Sequence, residues 1–376
     1  MKYYVIAGEA SGDLHGGNLI KHIFQRDTQA DIRAWGGDLM EAEGAEVVKH
    51  YRDLAFMGFV EVAANLRTIL KNFDLCKADI LEYKPDVIIL IDYPGFNLRM
   101  AKFAHQNGIK VFYYISPQIW AWKENRVKQI KAYVDEVYVI LPFEKDFYAK
   151  FDVDVTFVGH PLIDAVEQFK VEFPSREAFL SENGLHDKPL VALLPGSRKQ
   201  EISKMLPLML SVAKDYPDYQ FVIAGAPSQD HDFYMPFIAD TGIQIVFGKT
   251  YQLLTYSHSA IVTSGTATLE TAIFKVPQVV CYRGGFLSVI IARLLVKIKY
   301  ISLVNLIMDR EVVKELIQSD LNKKSLKKEF ELISRKGDRR DKMMEDYDLL
   351  YQKLGGQGAS DLTAKLMLKT LGVNNS

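Results

Sequence analysis

The feature that most constrains this chain is a repeated pairing of a short apolar run with a small or polar loop at its end. VIILI at 87–91 runs into DYPGFN, YYVIAG at 3–8 opens onto GEASGD, and VALL at 191–194 opens onto PGSR. Uninterrupted apolar runs of strand length, rather than alternating ones, suit strands buried on both faces. Helix-like stretches separate the runs, so the pattern predicts βαβ units and parallel sheets. DIRAWGG (31–37), KVFYYISP (110–117), EVYVILPFE (136–144) and VTFVGHP (155–161) extend it through the first half. YQFVIAGAP (219–227), GIQIVFG (242–248), SAIVTSGTATLE (259–270) and VPQVVCYRG (276–284) extend it through the second. One helix is expected from the 8–13 turn to about Ile20, and another over LRMAKFAHQNG, stopped by Gly108. After about residue 286 the pattern turns mainly helical.

With 376 residues the chain exceeds what one core usually serves, since single cores stop growing near about 250–300 residues. The polar segment 165–187, with Pro174, Ser175, Glu182, Asn183 and Gly184, interrupts the alternation. The expected organisation is therefore α/β, with two Rossmann-like parallel-sheet domains facing a cleft. Residues 1–170 form the first domain and 186–350 the second, while 351–376 form a helical segment packing back on the first. Apolar residues make up 48% and charged residues 25% of the chain, which excludes disorder, and a net charge of −1 gives no global pull toward nucleic acid. Cys76 and Cys281 are too few for a zinc cage and read as reduced, buried thiols of a cytoplasmic protein. The apolar runs are too short to cross a bilayer, and the start lacks the long apolar stretch of a signal peptide. Contact with a membrane surface stays open.

In an open parallel sheet, ligands bind where strands end and helices begin. That rule selects five loops. Gly8, Glu9, Ser11 and Asp13 form a tight turn; because Glu9 repels phosphate, an acceptor or structural role is favoured, with Ser11 as a cap in the structural case. Asp92, directly after five apolar residues, sits at the sheet edge as a general base or as a turn cap, and Asn97 is a cap candidate for the helix that follows. In PGSR, Gly196 permits close approach, Ser197 bonds an oxygen and Arg198 offers a bidentate fork for an anion. Ser264, Gly265 and Thr266 supply small donors at a helix start suited to a diphosphate, and Glu270, one turn further on, suits ribose hydroxyls. The fifth loop, YISPQIWAW (114–122), is aromatic and polar and suits a large apolar substrate. His160, at another strand end, reads as a core or turn histidine at least as readily as a catalytic one. GKT at 248–250 lacks the glycines of a P-loop, and the absence of HExxH and CxxC leaves a protein-built metal site unsupported.

Taken in order, GEASGD (8–13), MGFVEV (57–62), IDYPGFN (91–97), YYISPQIWAW (113–122), FVGHP (157–161), LLPGSR (193–198), SGTATLE (264–270) and LVNLI (303–307) closely resemble the bacterial lipid-A-disaccharide synthases over nearly the whole chain. The resemblance implies an inverting glycosyltransferase of GT-B fold that needs no metal. Its donor would be UDP-2,3-diacylglucosamine and its acceptor 2,3-diacylglucosamine 1-phosphate (lipid X). The products would be a β-1,6-linked disaccharide 1-phosphate and UDP, in lipid A biosynthesis. It also implies that Asp92 is the family's important aspartate, that Arg198 and Asn305 match its arginine and asparagine, and that Glu270 matches its ribose carboxylate. Asn305 alternatively reads as a helix cap. Members act at the inner face of the cytoplasmic membrane, and some dimerise by exchanging C-terminal segments.

Acyl chains need apolar surface. Residues 54–73, with Phe56, Met57, Phe59, Val60, Val62, Leu66, Ile69, Leu70, Arg67 and Lys71, read as core or as a membrane interface. Phe286 to Tyr300, with Arg293, Lys297 and Lys299, is a second basic, apolar stretch. Two rivals are a sugar-nucleotide epimerase, which needs no acceptor, and a lipid-binding protein, which releases no UDP.

Overall fold

A computed structural model describes residues 1–54, 66–122, 124–170, 173–239, 241–284 and 299–373. The MGFVEV motif, with Phe56, Met57, Phe59, Val60 and Val62, lies outside the described residues, as do Phe286, Arg293 and Lys297. The chain divides into two units, Met1–Ala165 with Leu354–Ser376, and Val166–Lys353.

The first unit is built on seven strands: β1 (Lys2–Ala7), β2 (Asp31–Gly36), β3 (Glu46–His50), β4 (Val87–Ile91), β5 (Lys110–Tyr114), β6 (Glu136–Val139) and β7 (Thr156–Phe157). They lie in the order β3-β2-β1-β4-β5-β6-β7, every pair parallel. The chain runs outward from β1 in one direction and then, from β4, in the other. The switch point therefore falls between β1 and β4, whose register pairs Ala7 with Ile91. Gly8 and Asp92 are the next residues on each side of it. All five residues of β4 are buried, as an uninterrupted apolar run requires when helices cover both faces. Beneath the sheet Phe96 stacks on Phe73 at 4.5 Å, Trp35 at 5.3 Å and Tyr93 at 5.5 Å. Tyr4 enters this core, while Tyr3, next to it in β1, is buried on the other face, each with its hydroxyl donated to a carboxylate, Asp79 and Asp27 in turn.

The second unit repeats the plan with β8 (Leu190–Leu194), β9 (Gln220–Gly225), β10 (Gln244–Phe247), β11 (Ser257–Thr263), β12 (Gln278–Tyr282) and β13 (Lys314–Ile317). Their order is β10-β9-β8-β11-β12-β13, again all parallel, with the switch point between β8 and β11. Beyond residue 286 the described chain is mainly helical, as expected, and it adds the strand β13, which the sequence pattern did not show. KELI follows the turn that Asn305 locks, and pairing with β12 outweighs the helix propensity of Lys, Glu and Leu. β3 was also unread, because its EVVKH is half-exposed and carries little apolar signal.

The last helix, Ala359–Leu371, belongs to the first unit, where it packs on the helix Ala10–Phe24. The Leu354 carbonyl accepts the His160 N–H at 2.9 Å, and the Asp164 carboxylate accepts the N–H groups of Gly358 and Ser360 at 2.6 and 2.9 Å. Among the described residues no helix is long and apolar enough to cross a membrane.

Candidate active site

Asp92 leaves β4 in the left-handed region, at φ 42°, and Tyr93 follows at 47°. Ile115, on the neighbouring strand end, adopts φ 60°. Such conformations are costly for residues with a Cβ, most of all for a β-branched one, and persist only where surrounding structure enforces them. Here the enforcement is visible. The Asp92 N–H donates to the Ile115 carbonyl at 3.2 Å. The Asp92 carbonyl accepts the Tyr113 hydroxyl at 2.6 Å and the Asn97 amide at 2.8 Å. Asn97 is completely buried, and its amide also donates to the Ile91 and Ile6 carbonyls at 3.1 and 3.3 Å. It is not the helix cap its position suggested. The helix begins at Pro94, and Asn97 instead staples the ends of β1 and β4 together.

The Asp92 carboxyl is half-buried. Burial foremost, and then the negative charge of Glu9, raise its pKa to about 6, while the Tyr93 N–H works weakly the other way. A carboxylate titrating there is ionised at neutral pH yet more basic than an ordinary aspartate, the condition for general-base work.

The GEASGD turn faces Asp92 across the switch point. A Cβ on Gly8 would stand 2.4 Å from the Tyr93 ring, so the glycine serves the close approach of an aromatic side chain. Glu9 is exposed and occupies the cap position of the helix Ala10–Phe24 without a side-chain cap bond. Ser11 is thus inside the helix and exposed, not its cap. Asp13 is buried and structural: it accepts the N–H groups of Gly37, Met40 and Leu39 at 2.8, 3.1 and 3.1 Å, capping the helix Asp38–Ala42. His160 is buried too, with Nδ1 accepting the Leu162 N–H, and burial together with nearby His15 pushes its pKa down to about 3.

In the second unit the loops after β8 and β11 flank the other switch point. Gly196 has φ 108°, and a Cβ there would meet the Glu201 carboxylate at 2.9 Å. Ser197 gives its carbonyl to Ser228, and Arg198 is largely exposed at the start of the helix Lys199–Ala213, 3.7 Å from Glu201. Gly265 and Thr266 are exposed at the start of the helix Thr266–Ile273, and a Cβ on Gly265 would touch nothing within 4 Å. The Ser264 hydroxyl donates to the Ile301 carbonyl at 3.0 Å. Glu270 is half-buried; burial raises its pKa, and the Tyr251 hydroxyl, donating to it at 3.0 Å, opposes that shift and fixes the carboxylate's direction.

Asn305 differs from the residue expected to touch a ligand. It is fully buried, and all four of its hydrogen-bonding positions are used by the protein. The amide donates to the Val313 carbonyl and to Glu315, both at 2.9 Å, and the oxygen accepts the Val312 and Val313 N–H groups at 2.7 and 3.0 Å. The nearby helix is capped by Ser302.

The family model described as lipid-A-disaccharide synthetase matches residues 3–369. The chain is 40% identical over 372 residues to the lipid-A-disaccharide synthase of Syntrophus aciditrophicus, covering 97% of this chain and 96% of that one. It is 36% identical over 377 residues to the enzyme of that name from Myxococcus xanthus, covering 98% and 97%. The chain belongs to the lipid-A-disaccharide synthase family. It is accordingly an enzyme, a glycosyltransferase of lipid A biosynthesis. Its architecture is GT-B-like. A UDP co-structure of Staphylococcus aureus MnaA superposes with TM-score 0.71 at 13% identity, covering 100% of this chain and 98% of that one. The UDP-GlcNAc 2-epimerase of Neisseria meningitidis, bound to UDP-GlcNAc, gives 0.66 at 13% identity over 100% of both.

The residues that sequence reasoning passed over in this synthase are Asn97's carbonyl staple, Tyr113, Glu144 and Tyr251. Each acts on a neighbour distant in sequence, and of these only LPFE carried a local signal, an acid directly after a strand.

Proposed function

We propose that Asp92 is the general base of the family's transfer reaction, taking the proton from the 6-hydroxyl of 2,3-diacylglucosamine 1-phosphate. That oxygen attacks the anomeric carbon of UDP-2,3-diacylglucosamine from the face opposite the nucleotide. The C–O bond to UDP breaks as the new one forms, so the linkage inverts to β-1,6 and UDP departs with the bonding pair. The single observation that carries the reading is a half-buried carboxyl, pKa about 6, at the β1–β4 switch point on an enforced left-handed backbone. Charge gathering on UDP is met by Arg198, Ser197 and the N–H groups of Gly265 and Thr266, with Ser264 bracing that loop through its bonds to the Ile301 and Cys281 carbonyls, while Glu270, aimed by Tyr251, holds the ribose hydroxyls. Asn305 serves the donor side by locking the 302–315 turn. Glu9 tunes Asp92, and Gly8, Ser11 and Asp13 shape the acceptor-side loop. The test is UDP release from the donor with and without lipid X. Release that requires lipid X, with the acylated disaccharide seen by mass spectrometry, supports the reading. Loss of donor without acceptor points to an epimerase instead.

The acylated substrates place the work at a membrane surface, the cytoplasmic face of the inner membrane. A groove of about 320 Å³ between the helices Leu66–Tyr83 and Pro94–Gln106 is lined by Leu70, Phe73 and Phe103 and by the cations Lys77, Arg99 and Lys102. Leu70 and Leu75 are about half exposed beside it. Apolar surface ringed by cations suits an anionic bilayer. Glu at positions 77, 99 and 102 together should cut co-sedimentation with phosphatidylglycerol vesicles several-fold. Unchanged co-sedimentation removes this surface from the reading. A homodimer exchanging C-terminal segments would have to replicate the docking of Ala359–Leu371 in trans.

A further inference from the structure

Asp92, Ser116 and Glu144 follow β4, β5 and β6, three adjacent strands of the first unit. Glu144 is wholly buried. Its Oε2 accepts the N–H groups of Leu141 and Ile140 at 2.9 and 3.2 Å, clamping the turn between β6 and the helix Glu144–Ala149. Its Oε1 is equally buried and has no hydrogen-bond partner. The Trp120 indole N–H is in the same condition, buried and unpartnered. Yet the indole already reaches the Glu144 carboxyl as a weak donor, outside good hydrogen-bond geometry but near enough to favour the ionised form. The Trp120 ring packs edge-on against Phe143 at 4.9 Å, and the Ser116 hydroxyl is hydrogen-bonded to that of Tyr148. The loop 116–120 is thus already tied to the β6 turn and its helix at two points, with a buried donor and acceptor near each other but short of a full hydrogen bond at a third. A buried polar group is costly while unpaired, and closing this contact relieves two at once.

We propose that Glu144 and Trp120 form an acceptor latch: when the acylated sugar enters beside Asp92, the Trp120 N–H closes onto Glu144 Oε1 and fixes the 116–120 loop around the reacting hydroxyl. Glu144 is then a positioning residue, acting on the substrate through Trp120. Burial foremost raises the Glu144 pKa to about 8, while the Leu141 and Ile140 N–H groups and the indole draw it down, so closing the latch brings Glu144 toward the carboxylate whose Oε1 accepts. The latch rests on the acceptor binding at the Asp92 edge.

Glu144→Gln separates the two functions of the carboxyl. Its amide oxygen keeps the bonds to Ile140 and Leu141, while its NH2 meets the indole N–H donor to donor. In full-length protein, Glu144→Gln and Trp120→Phe should each raise the acceptor KM about tenfold while leaving kcat and the donor KM within about twofold. The double variant should be no worse than either single, because both remove one contact. An acceptor KM unchanged in Glu144→Gln, or effects that multiply to about a hundredfold in the double variant, overturns the latch. Wild-type protein in the same assay tests the transfer reaction itself. If it releases no UDP, tryptophan emission on adding lipid X decides the latch without turnover. A change that disappears in both Trp120→Phe and Glu144→Gln supports it, and no change in wild type overturns it.

Discussion

Asp92 carries a raised pKa on a strained backbone, and both features have measurable consequences. The base form is available only above about pH 6, so the acid limb of kcat/KM should fall there. Glu9 contributes to that position through its charge, so Glu9→Gln lowers the Asp92 pKa and moves the limb toward lower pH; a pH–rate profile that does not shift removes Glu9 from this role. Asp92→Asn should lower turnover about a hundred- to ten-thousand-fold while UDP still binds. The same variant should be more stable. An acid whose folded pKa is raised is neutral in both states below its unfolded value near about 4, and its cost develops as pH rises through about 6. Asparagine avoids that cost and tolerates the left-handed conformation. Its unfolding free energy should therefore exceed the wild type's at pH 8, by about 1–3 kcal/mol at most, and converge with it near about pH 3.5.

The elements that present these residues are short strands whose ends are held by side chains from elsewhere. Asn97 holds β1 to β4, and Asp13 holds the start of the helix Asp38–Ala42 to the first helix. Asp13→Ala leaves three N–H groups, two of them buried, without an acceptor and should cost about 2–3 kcal/mol or more in urea unfolding, since bonds to a charged acceptor are the stronger ones. Asp13→Asn, which keeps one acceptor oxygen, should fall between. A cost below about 1 kcal/mol for the alanine variant would falsify the capping role. Asn305 plays the corresponding part in the second unit, where it joins the 302–308 helix to β13.

At the scale of the molecule, the first unit is completed by the chain's last described residues. Removing 354–376 takes away the partners of His160 and Asp164 and uncovers the face on which Ala364, Met367 and Leu368 are buried. Amide exchange should then quicken throughout the first unit's peptides while those of the second keep their protection; equal protection in both would remove this dependence. Acid should loosen the same region. Burial lowers the His15 pKa to about 4, partly offset by Asp164, and holds His160 at about 3 with His15 adding to the effect. The unfolded chain takes up protons near about pH 6.5 that the folded chain refuses, so this stability is complete above that pH and drains away as pH falls toward 4. Protection of the helix Ala359–Leu371 should fall between pH 7 and 5.

The sequence alone determined the kind of fold and put the candidate chemistry at strand ends. Apolar runs of strand length ending in small and polar residues require parallel sheets covered on both faces, and the polar loops then sit at strand ends by construction. Asp92, Arg198, Ser264 and Glu270 were legible because their signals are local: each lies a residue or a turn beyond an apolar run. Tertiary structure decided which of the loop residues stay open at the strand ends and which hold the frame. Asp13 and Asn305 look like site residues in sequence, yet their hydrogen bonds are used by backbone groups brought from elsewhere in the chain. Tyr113 and Tyr251 were silent because their effects on Asp92 and Glu270 depend on burial and strand neighbours, and Glu144 showed only as an acid a few residues beyond an apolar run. Periodicity and spacing encode which face of an element is covered; they do not encode which distant group satisfies a buried donor.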